Sequence, residues 1–443
     1  VLCRNHRGFL TAVVALAKLG ADTVYLNTGF AAPELAEVVA RESVAALIID
    51  EEFLPLIQEA ETASHVPVVV AWVDDPSKLG DHQSFDRILA ESRRPAPPTP
   101  KRPGRQIILT SGTTGTPKGA QRKSGSEIGA LLPVLSRIPL RGGDVTLVPA
   151  PMFHAWGLVH AALGLVLGAT LVLPRRFDPE DTLRLIEAHK VRVLVAVPIM
   201  LQRIMQLPDE ARRRYDTSSL QIVALSGSAI PGDLAERFMN EFGDVIYNLY
   251  GSTEVGWASV ATPEDMRAAR GTAGKVPVGT RIRILDEDDQ DVAPGETGRI
   301  FVRSGLTFDG YTGGGGKATV DGYLSSGDMG HFDPAGRLFI DGRDDDMIVS
   351  GGENVFPAEV DDVLAKHPDV ADVAVIGVPD EMFGQRLRAF VVLRSGSTVT
   401  PDDLKEHVRT QLARFKVPRD VILVDEIPRN AAGKVVRRLV QAM

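Results

Sequence analysis

The chain reads as an α/β protein: a large amino-terminal domain of βαβ-type sheets with a β-rich subdomain, then a small α+β carboxyl-terminal domain. Three observations predict this. The first hundred residues alternate short strand-like runs with amphipathic helical ones, the pattern of βαβ units and a parallel sheet. From about residue 275 to 340 the texture changes to short strands between turns. A charge run at 342–346 then sets off a last segment of about a hundred residues, an ordinary domain size. A chain of 443 residues also exceeds what one core fills, about 250–300 residues, so at least two domains are expected.

Residues 9–19 carry apolar side chains at helical spacing, Gly20 follows as a C-cap, and 23–26 reads as a strand. The pattern repeats with a helix over 33–41, a strand over 45–49, a helix over 52–60 and a strand over 66–73. Residues 93–105 break it with Pro95, Pro97, Pro98, Pro100 and Pro103 among basic residues; we read an extended surface connection rather than a docking segment. A helix near 127–135 and a strand at 145–148 follow. Asp178 as N-cap and Pro179 at the first helical position open a helix that runs to about residue 190. Strands at 191–197 and 222–225 come next, the second ending in the small-residue corner Ser226-Gly227-Ser228-Ala229. Open α/β sheets place ligands at strand carboxyl ends, which makes Gly227 a site candidate.

Strands at 281–285, 299–302, 323–324 and 338–340 make the β-rich part. Its glycine-rich stretch 313–317 fails as a phosphate loop, because Tyr311 stands where a Walker glycine belongs and Ala318 replaces the hydroxyl; it reads as a flexible turn. The last domain is expected as a helix over 357–364, strands over 370–376 and 387–393, a helix over 402–413 and a strand over 421–424.

Net charge is −9 with both signs spread throughout, which argues against nucleic acid as the principal partner. The single cysteine, Cys3, excludes an intrachain disulfide and a multi-cysteine metal site, and fits a reducing, cytoplasmic setting. Cys3 itself reads as a buried small hydrophobe, with no His or charge partner legible for a reactive thiol. The longest apolar runs, 161–173 and 12–17, are too short to span a bilayer, and peripheral membrane contact stays open. The opening at Val1 has neither the basic flank nor the cleavage pattern of a signal peptide.

Two stretches carry chemistry. Thr110-Ser111-Gly112-Thr113-Thr114-Gly115-Thr116-Pro117-Lys118-Gly119 follows a strand end with three glycines, five hydroxyls and a lysine, a phosphate grip of backbone N–H groups, hydroxyls and a mobile charge. It is not a Walker A loop, since Pro117 and Gly119 occupy that pattern's glycine and hydroxyl positions. Tyr250-Gly251-Ser252-Thr253-Glu254 offers an aromatic face for a base, glycine for close approach, hydroxyls for phosphate and a carboxylate for Mg²⁺.

The 110–119 stretch resembles, nearly letter for letter, the signature loop of the adenylate-forming enzymes (acyl-CoA synthetases, peptide-synthetase adenylation domains and luciferases), and 250–254 resembles their Y-G-x-T-E motif. Further matches follow in the family's order to the carboxyl terminus, and the texture of 151–157 and 344–357 is most similar to a bacterial fatty acyl-CoA ligase. The resemblance implies a large domain over 1–341 with 275–341 as its β-rich subdomain, a hinge at 342–346 with Asp345, and a small mobile domain over 347–443. It implies that Thr110, Ser111, Gly112, Thr113, Thr114, Gly115 and Lys118 grip pyrophosphate, and that His154 after Phe153 shapes the carboxylate site. It assigns Tyr250 to adenine, with Gly251 beside it for close backbone approach to the nucleotide, Thr253 to phosphate, Glu254 to magnesium, and Asp328 and Arg343 to the ribose. It further puts Gly351 and Gly352 on the pantetheine tunnel, and makes Lys434 the catalytic lysine. Trp156, Gly157 and Trp257 become acyl-pocket candidates, with His160 and Val260 as weaker ones. Ala431 and Ala432 depart from the family, which carries a hydroxyl beside Gly433. Compared with the family, the chain opens inside the amino-terminal domain, so elements before Val1 are expected to be missing.

The expected reaction uses ATP, Mg²⁺ and CoA: a fatty acid or other carboxylic acid becomes an acyl-adenylate, and rotation of the small domain then lets the CoA thiol attack. Transfer to a carrier protein is the alternative acceptor, oxygenation of luciferase type a rarer outcome, and a non-catalytic nucleotide-binding protein the alternative of another class.

Overall fold

The computed structural model describes residues 1–443 apart from 61–64, 92–94, 111–117, 123–131, 345–347, 351–352, 381–383, 413–415 and 431–432. The mixed α/β architecture expected from the sequence is present. The helix Arg7–Leu19 starts two residues before the apolar periodicity, because the His6 imidazole accepts from the Gly8 N–H as an N-cap. Gly20 ends it in the left-handed region at φ 68°. The strand Thr23–Tyr25 does not join its sequence neighbours: it pairs in parallel with Gln106–Thr110, while Leu47–Asp50, Val68–Trp72 and Gln83–Ser84 form a separate parallel sheet.

The centre is a six-stranded sheet in the order Gly256–Ala261, Ile246–Ser252, Ile222–Leu225, Val193–Ala196, Val145–Leu147, Thr170–Val172. All its pairings are parallel except that of the edge strand Gly256–Ala261. Val193–Ala196 and Ile222–Leu225 are buried along their whole length, the mark of strands covered on both faces. The helices Ala155–Val166, Pro179–His189, Pro198–Met205 and Gly232–Phe242 supply buried side chains to that core. The Asp178 carboxylate caps Pro179–His189 by accepting from the Asp181 N–H at 2.7 Å.

In the β-rich region the strand expected at 323–324 is ten residues long, Tyr323–Phe332, and carries Ser326-Gly327-Asp328 inside it. The sequence hides this because small and charged residues interrupt the alternation, and the ladders on both sides shift register there. The last region is a five-stranded sheet whose long hairpin, Val370–Asp380 and Gly384–Leu393, buries alternate residues on two faces. Val373, Val375, Ala389 and Val391 pack toward the helices Pro357–Ala365 and Pro401–Arg409, while Ala374, Ile376 and Phe390 pack with Ile427 and Val440. This region touches the large one directly: Gln202 Nε2 donates to the Ala371 carbonyl at 2.7 Å, and Arg438 meets Glu34 at 3.5 Å. Among the described residues no helix is long and apolar enough to cross a membrane.

Candidate active site

The carboxyl ends of the central parallel strands open into a cleft of about 1750 Å³ between the two regions. Ala150, Pro151, Phe153 and His154 border it, and their segment is held by Asn5, which is 4% exposed. The Asn5 amide nitrogen donates to the carbonyls of Val148 and Ala150, both at 2.8 Å, and its oxygen accepts from the Met152 N–H at 2.9 Å. That segment delivers Phe153 and His154. His154 is the N-cap residue of Ala155–Val166, its ring 4.5 Å from that of Phe153 and its Nε2 buried without a partner among the described residues. Burial, then the nearby Lys434 charge, push its pKa down to about 4, so the imidazole is neutral at pH 7.

Trp156 lies across two strand ends, its Nε1–H shared between the carbonyls of Ala196 at 3.1 Å and Ala224 at 3.3 Å. Trp257 stands 6.1 Å from it, and both border the cleft. Gly157 also borders it, but the need for glycine comes from elsewhere: a Cβ there would sit 2.5 Å from the carbonyl oxygens of Ala150 and Pro151. His160 is fully buried behind Trp156, at 4.1 Å between ring centres.

On the opposite side the turn after Ile246–Ser252 is tight, since a Cβ on Gly251 would lie 2.0 Å from the Gly256 carbonyl. The Tyr250 hydroxyl donates to Asp328 at 2.6 Å, and Arg343, directly across the ladder from Asp328, approaches the same carboxylate at 3.4 Å. Burial raises the Tyr250 pKa well above the ordinary phenol range, helped by the Asp328 charge. Glu254 is buried, and the Tyr311 hydroxyl donates to its Oε1 at 3.0 Å. Lys118 Nζ lies 5.4 Å from the Tyr311 ring centre, and Gly227 borders the same cleft with φ 101°.

The Thr110 to Gly119 loop joins two antiparallel strands, Gln106–Thr110 and Lys118–Arg122, with Thr110 opposite Lys118. Its members Ser111, Gly112, Thr113, Thr114 and Gly115 lie outside the described residues, as do Asp345, Gly351, Gly352, Ala431 and Ala432.

Lys434 enters from the last region on a small hairpin. The Asn430 side chain accepts from the Lys434 N–H at 2.9 Å, and Arg429 holds both Asp372, at 2.7 Å, and the Gly433 carbonyl, at 2.8 Å. Gly433 has φ 78°, and a Cβ on it would lie 2.6 Å from Ile199 of the large region. Burial lowers the Lys434 pKa, with Asp328 and Glu254 opposing and Arg343 and then Lys317 reinforcing the shift. The side chain also borders solvent in the open cleft, which screens that depression.

Three residues in this arrangement have no counterpart in the sequence reading. Asn5 has no motif around it, Tyr311 stands out in sequence only as a missing Walker glycine, and Lys317 ends a glycine run that reads as a turn. The glycine run does turn the chain as expected, with turn and bend at 312–314, and Lys317 beyond it borders the cleft and donates to the Ser326 carbonyl at 2.6 Å. Cys3 also differs from expectation, since a His and an acid do stand beside it: Cys3, His6 and Asp50 cluster within 4.8 Å. His6 Nε2 meets Asp50 at 2.7 Å, Asp50 also accepts from the Arg4 N–H at 2.9 Å, and His6 Nδ1 is taken by Gly8. Burial and then Asp50 push the thiol pKa well up, so Cys3 is an unreactive core residue.

Comparison with known proteins decides the family. The family model described as AMP-binding enzyme matches residues 1–312, and that described as AMP-binding enzyme C-terminal domain matches 359–434. The chain belongs to the AMP-binding enzyme family. This AMP-binding enzyme is 34% identical to an indoleacetate–CoA ligase of Aromatoleum aromaticum, over 98% of its own length and 87% of the relative's. It is 32% identical to the fatty acid–[acyl-carrier-protein] ligase ScoC of Streptomyces coeruleorubidus, over 99% of this chain and 85% of that one. Among solved structures, the o-succinylbenzoate CoA synthetase MenE of Bacillus subtilis, in complex with its acyl-adenylate intermediate, superposes with a TM-score of 0.84 at 29% identity, covering 99% of this chain and 87% of that one.

Proposed function

We propose that this chain activates a carboxylic acid with ATP, releasing pyrophosphate, and then passes the acyl group from the adenylate to the thiol of CoA. The observation that carries the reading is the convergence of Lys434, from the carboxyl-terminal hairpin, on the cleft that holds His154, Asp328 and Glu254. A carboxylate and a triphosphate repel, so an enzyme joining them must supply positive charge and alignment where they meet. Lys434 bridges the attacking carboxylate oxygen and the α-phosphate; the oxygen forms the new bond to phosphorus as the bond to pyrophosphate breaks. His154, held neutral, borders the carboxylate without adding a charge that would compete with Lys434 for it. Tyr250 carries adenine, Asp328 and Arg343 the ribose, and Thr253, Lys118 and the 110–118 hairpin tip the phosphates.

Glu254 and the hydroxyls of Ser252 and Thr253 are hard oxygen donors, and one protein carboxylate plus substrate phosphates is the set Mg²⁺ favours. Glu254 is the residue that would hold Mg²⁺, which when bound offsets phosphate charge.

The domain division at 342–346 belongs to the same reading. The contacts of Gln202, Arg438 and Gly433 are those of the adenylating arrangement, and their release lets the small domain turn at the hinge with Asp345 and bring Gly351 and Gly352 to the thiol. For the acid we propose a fatty acid, on the similarity of 151–157 and 344–357 to bacterial fatty acyl-CoA ligases. A carrier-protein thiol is the second reading of the acceptor, and the 32% identity to ScoC is the observation that favours it.

Mass spectrometry of products from ATP, Mg²⁺ and a panel of fatty, aryl and dicarboxylic acids, with CoA, with a carrier protein or with neither, tests this reading. Acyl-CoA is the expected product. Adenylate that passes only to the carrier protein would replace the acceptor, and a panel in which aryl acids alone react would replace the acid.

A further inference from the structure

We propose that Lys317 is a further nucleotide-binding residue of this site, its ammonium group contacting the phosphates of the bound nucleotide. The proposal rests on the adenylating function above and adds a cation to it.

The glycine run before Lys317 is a built reversal. The strand Gly310–Tyr311 pairs with the strand leaving the 110–119 loop, Tyr311 opposite Ala120. The Tyr311 N–H donates to the Gly315 carbonyl at 3.2 Å and the Gly314 N–H to the Tyr311 carbonyl at 3.0 Å. Gly314 and Gly315, at φ 84° and 83°, turn the chain in the left-handed region where side chains are rarely found. Beyond Lys317, Thr319–Val320 pairs with Tyr323–Phe332. The lysine is therefore fixed at both ends, between the strand that holds Glu254 through Tyr311 and the strand that carries Asp328.

Its ammonium group lies on the bare face of Gly327. A Cβ on Gly327, whose φ is 81°, would stand 2.8 Å from Lys317 Nζ and 3.4 Å from Arg343 Nη2, so two cations crowd the strand segment that presents Asp328. Lys317 gives one proton to the Ser326 carbonyl, and among the described residues it makes no ion pair; an ammonium carries three donors. Lys434 borders the same cleft, its pKa lowered chiefly by burial and to a smaller extent by the Arg343 and Lys317 charges. Lys118, Lys317, Arg343 and Lys434 border the same cleft as Asp328 and Glu254, and Lys434 responds to Asp328, Glu254, Arg343 and Lys317 together. Gathering cations in excess of nearby carboxylates is unfavourable in the free protein and favourable around a polyphosphate.

The test is binding of ATP, AMP and adenosine, by calorimetry, to the wild type and to Lys317→Met and Lys317→Gln. Glutamine removes the charge while keeping a polar N–H donor on a side chain one bond shorter. The proposal expects both variants to bind ATP and AMP about tenfold more weakly or worse, with adenosine changed less than about twofold. Equal losses for adenosine and AMP, or recovery in Lys317→Gln, would show a role confined to bracing the Ser326 segment and overturn the proposal. Unchanged ATP binding in the variants would overturn it too. A folded wild type that binds none of the three nucleotides would instead overturn the adenylating function and this proposal together.

Discussion

At the scale of single residues, the site depends on groups of two kinds. Tyr250 and Glu254 were legible because they sit in a short stretch whose residue types suit a nucleotide, whereas Lys434 and Asp328 were marked by resemblance to the family and not by their local chemistry. Asn5 is of the other kind, with hydrogen-bond partners 143 and 147 residues away that no local pattern announces. Asn5→Ala should leave the carbonyls of Val148 and Ala150 and the N–H of Met152 without their buried partner, a cost of about 3 kcal/mol. We expect a lower melting temperature together with a larger KM for the acid, because the same segment places His154. An unchanged melting temperature in Asn5→Ala would contradict the assignment. Tyr311 and Lys317 were missed for a related reason: a glycine run reads as slack chain, and only the pairing of its flanks shows that it aims two side chains.

At the scale of elements, strand carboxyl ends, a β-hairpin and a helix N-terminus build the cleft. Most elements were legible within a few residues, since periodicity marks helices such as Pro179–His189 and buried apolar runs mark strands such as Ile222–Leu225. Tyr323–Phe332 was not, because the small and charged residues Ser325-Ser326-Gly327-Asp328 erase the alternation. The hairpin of Lys434 seats against Ile199 through Gly433, with no room for a Cβ and a left-handed backbone that disfavours one. Gly433→Ala should therefore lift the hairpin from the large domain. Adenylate formation should fall at least about tenfold, as a shift of an ångström at a reacting group can cost about a hundredfold. Thioester formation from supplied acyl-adenylate, measured separately, should be nearly unchanged; an equal loss in both steps would count against a role confined to the adenylating arrangement.

At the scale of the whole molecule, two buried histidines couple stability to pH. His154 and His160 are both held down to about 4 from the ordinary 6.5, chiefly by burial. The unfolded chain binds more protons than the folded one between those values, so the contribution is whole above pH 6.5 and is lost as pH falls toward 4. For His160 alone this reaches roughly 3 kcal/mol at the acid end. Melting temperature should drop across that window, and His160→Phe should flatten the slope; a variant as steep as the wild type would contradict the attribution. The broad order of regions was legible at this scale, from the change of texture near residue 275 and the charge run at 342–346. How the first hundred residues divide between two sheets was not, since the partner of Thr23–Tyr25 arrives only at Gln106–Thr110.

The most direct test of the central claim is acid-dependent exchange of labelled pyrophosphate into ATP, compared in the wild type and Lys434→Ala. The account predicts exchange only when a suitable acid is present, without CoA, and a loss of at least about a hundredfold in the variant. A folded wild type that exchanges with no acid, or a Lys434→Ala protein that exchanges as fast as the wild type, would contradict it.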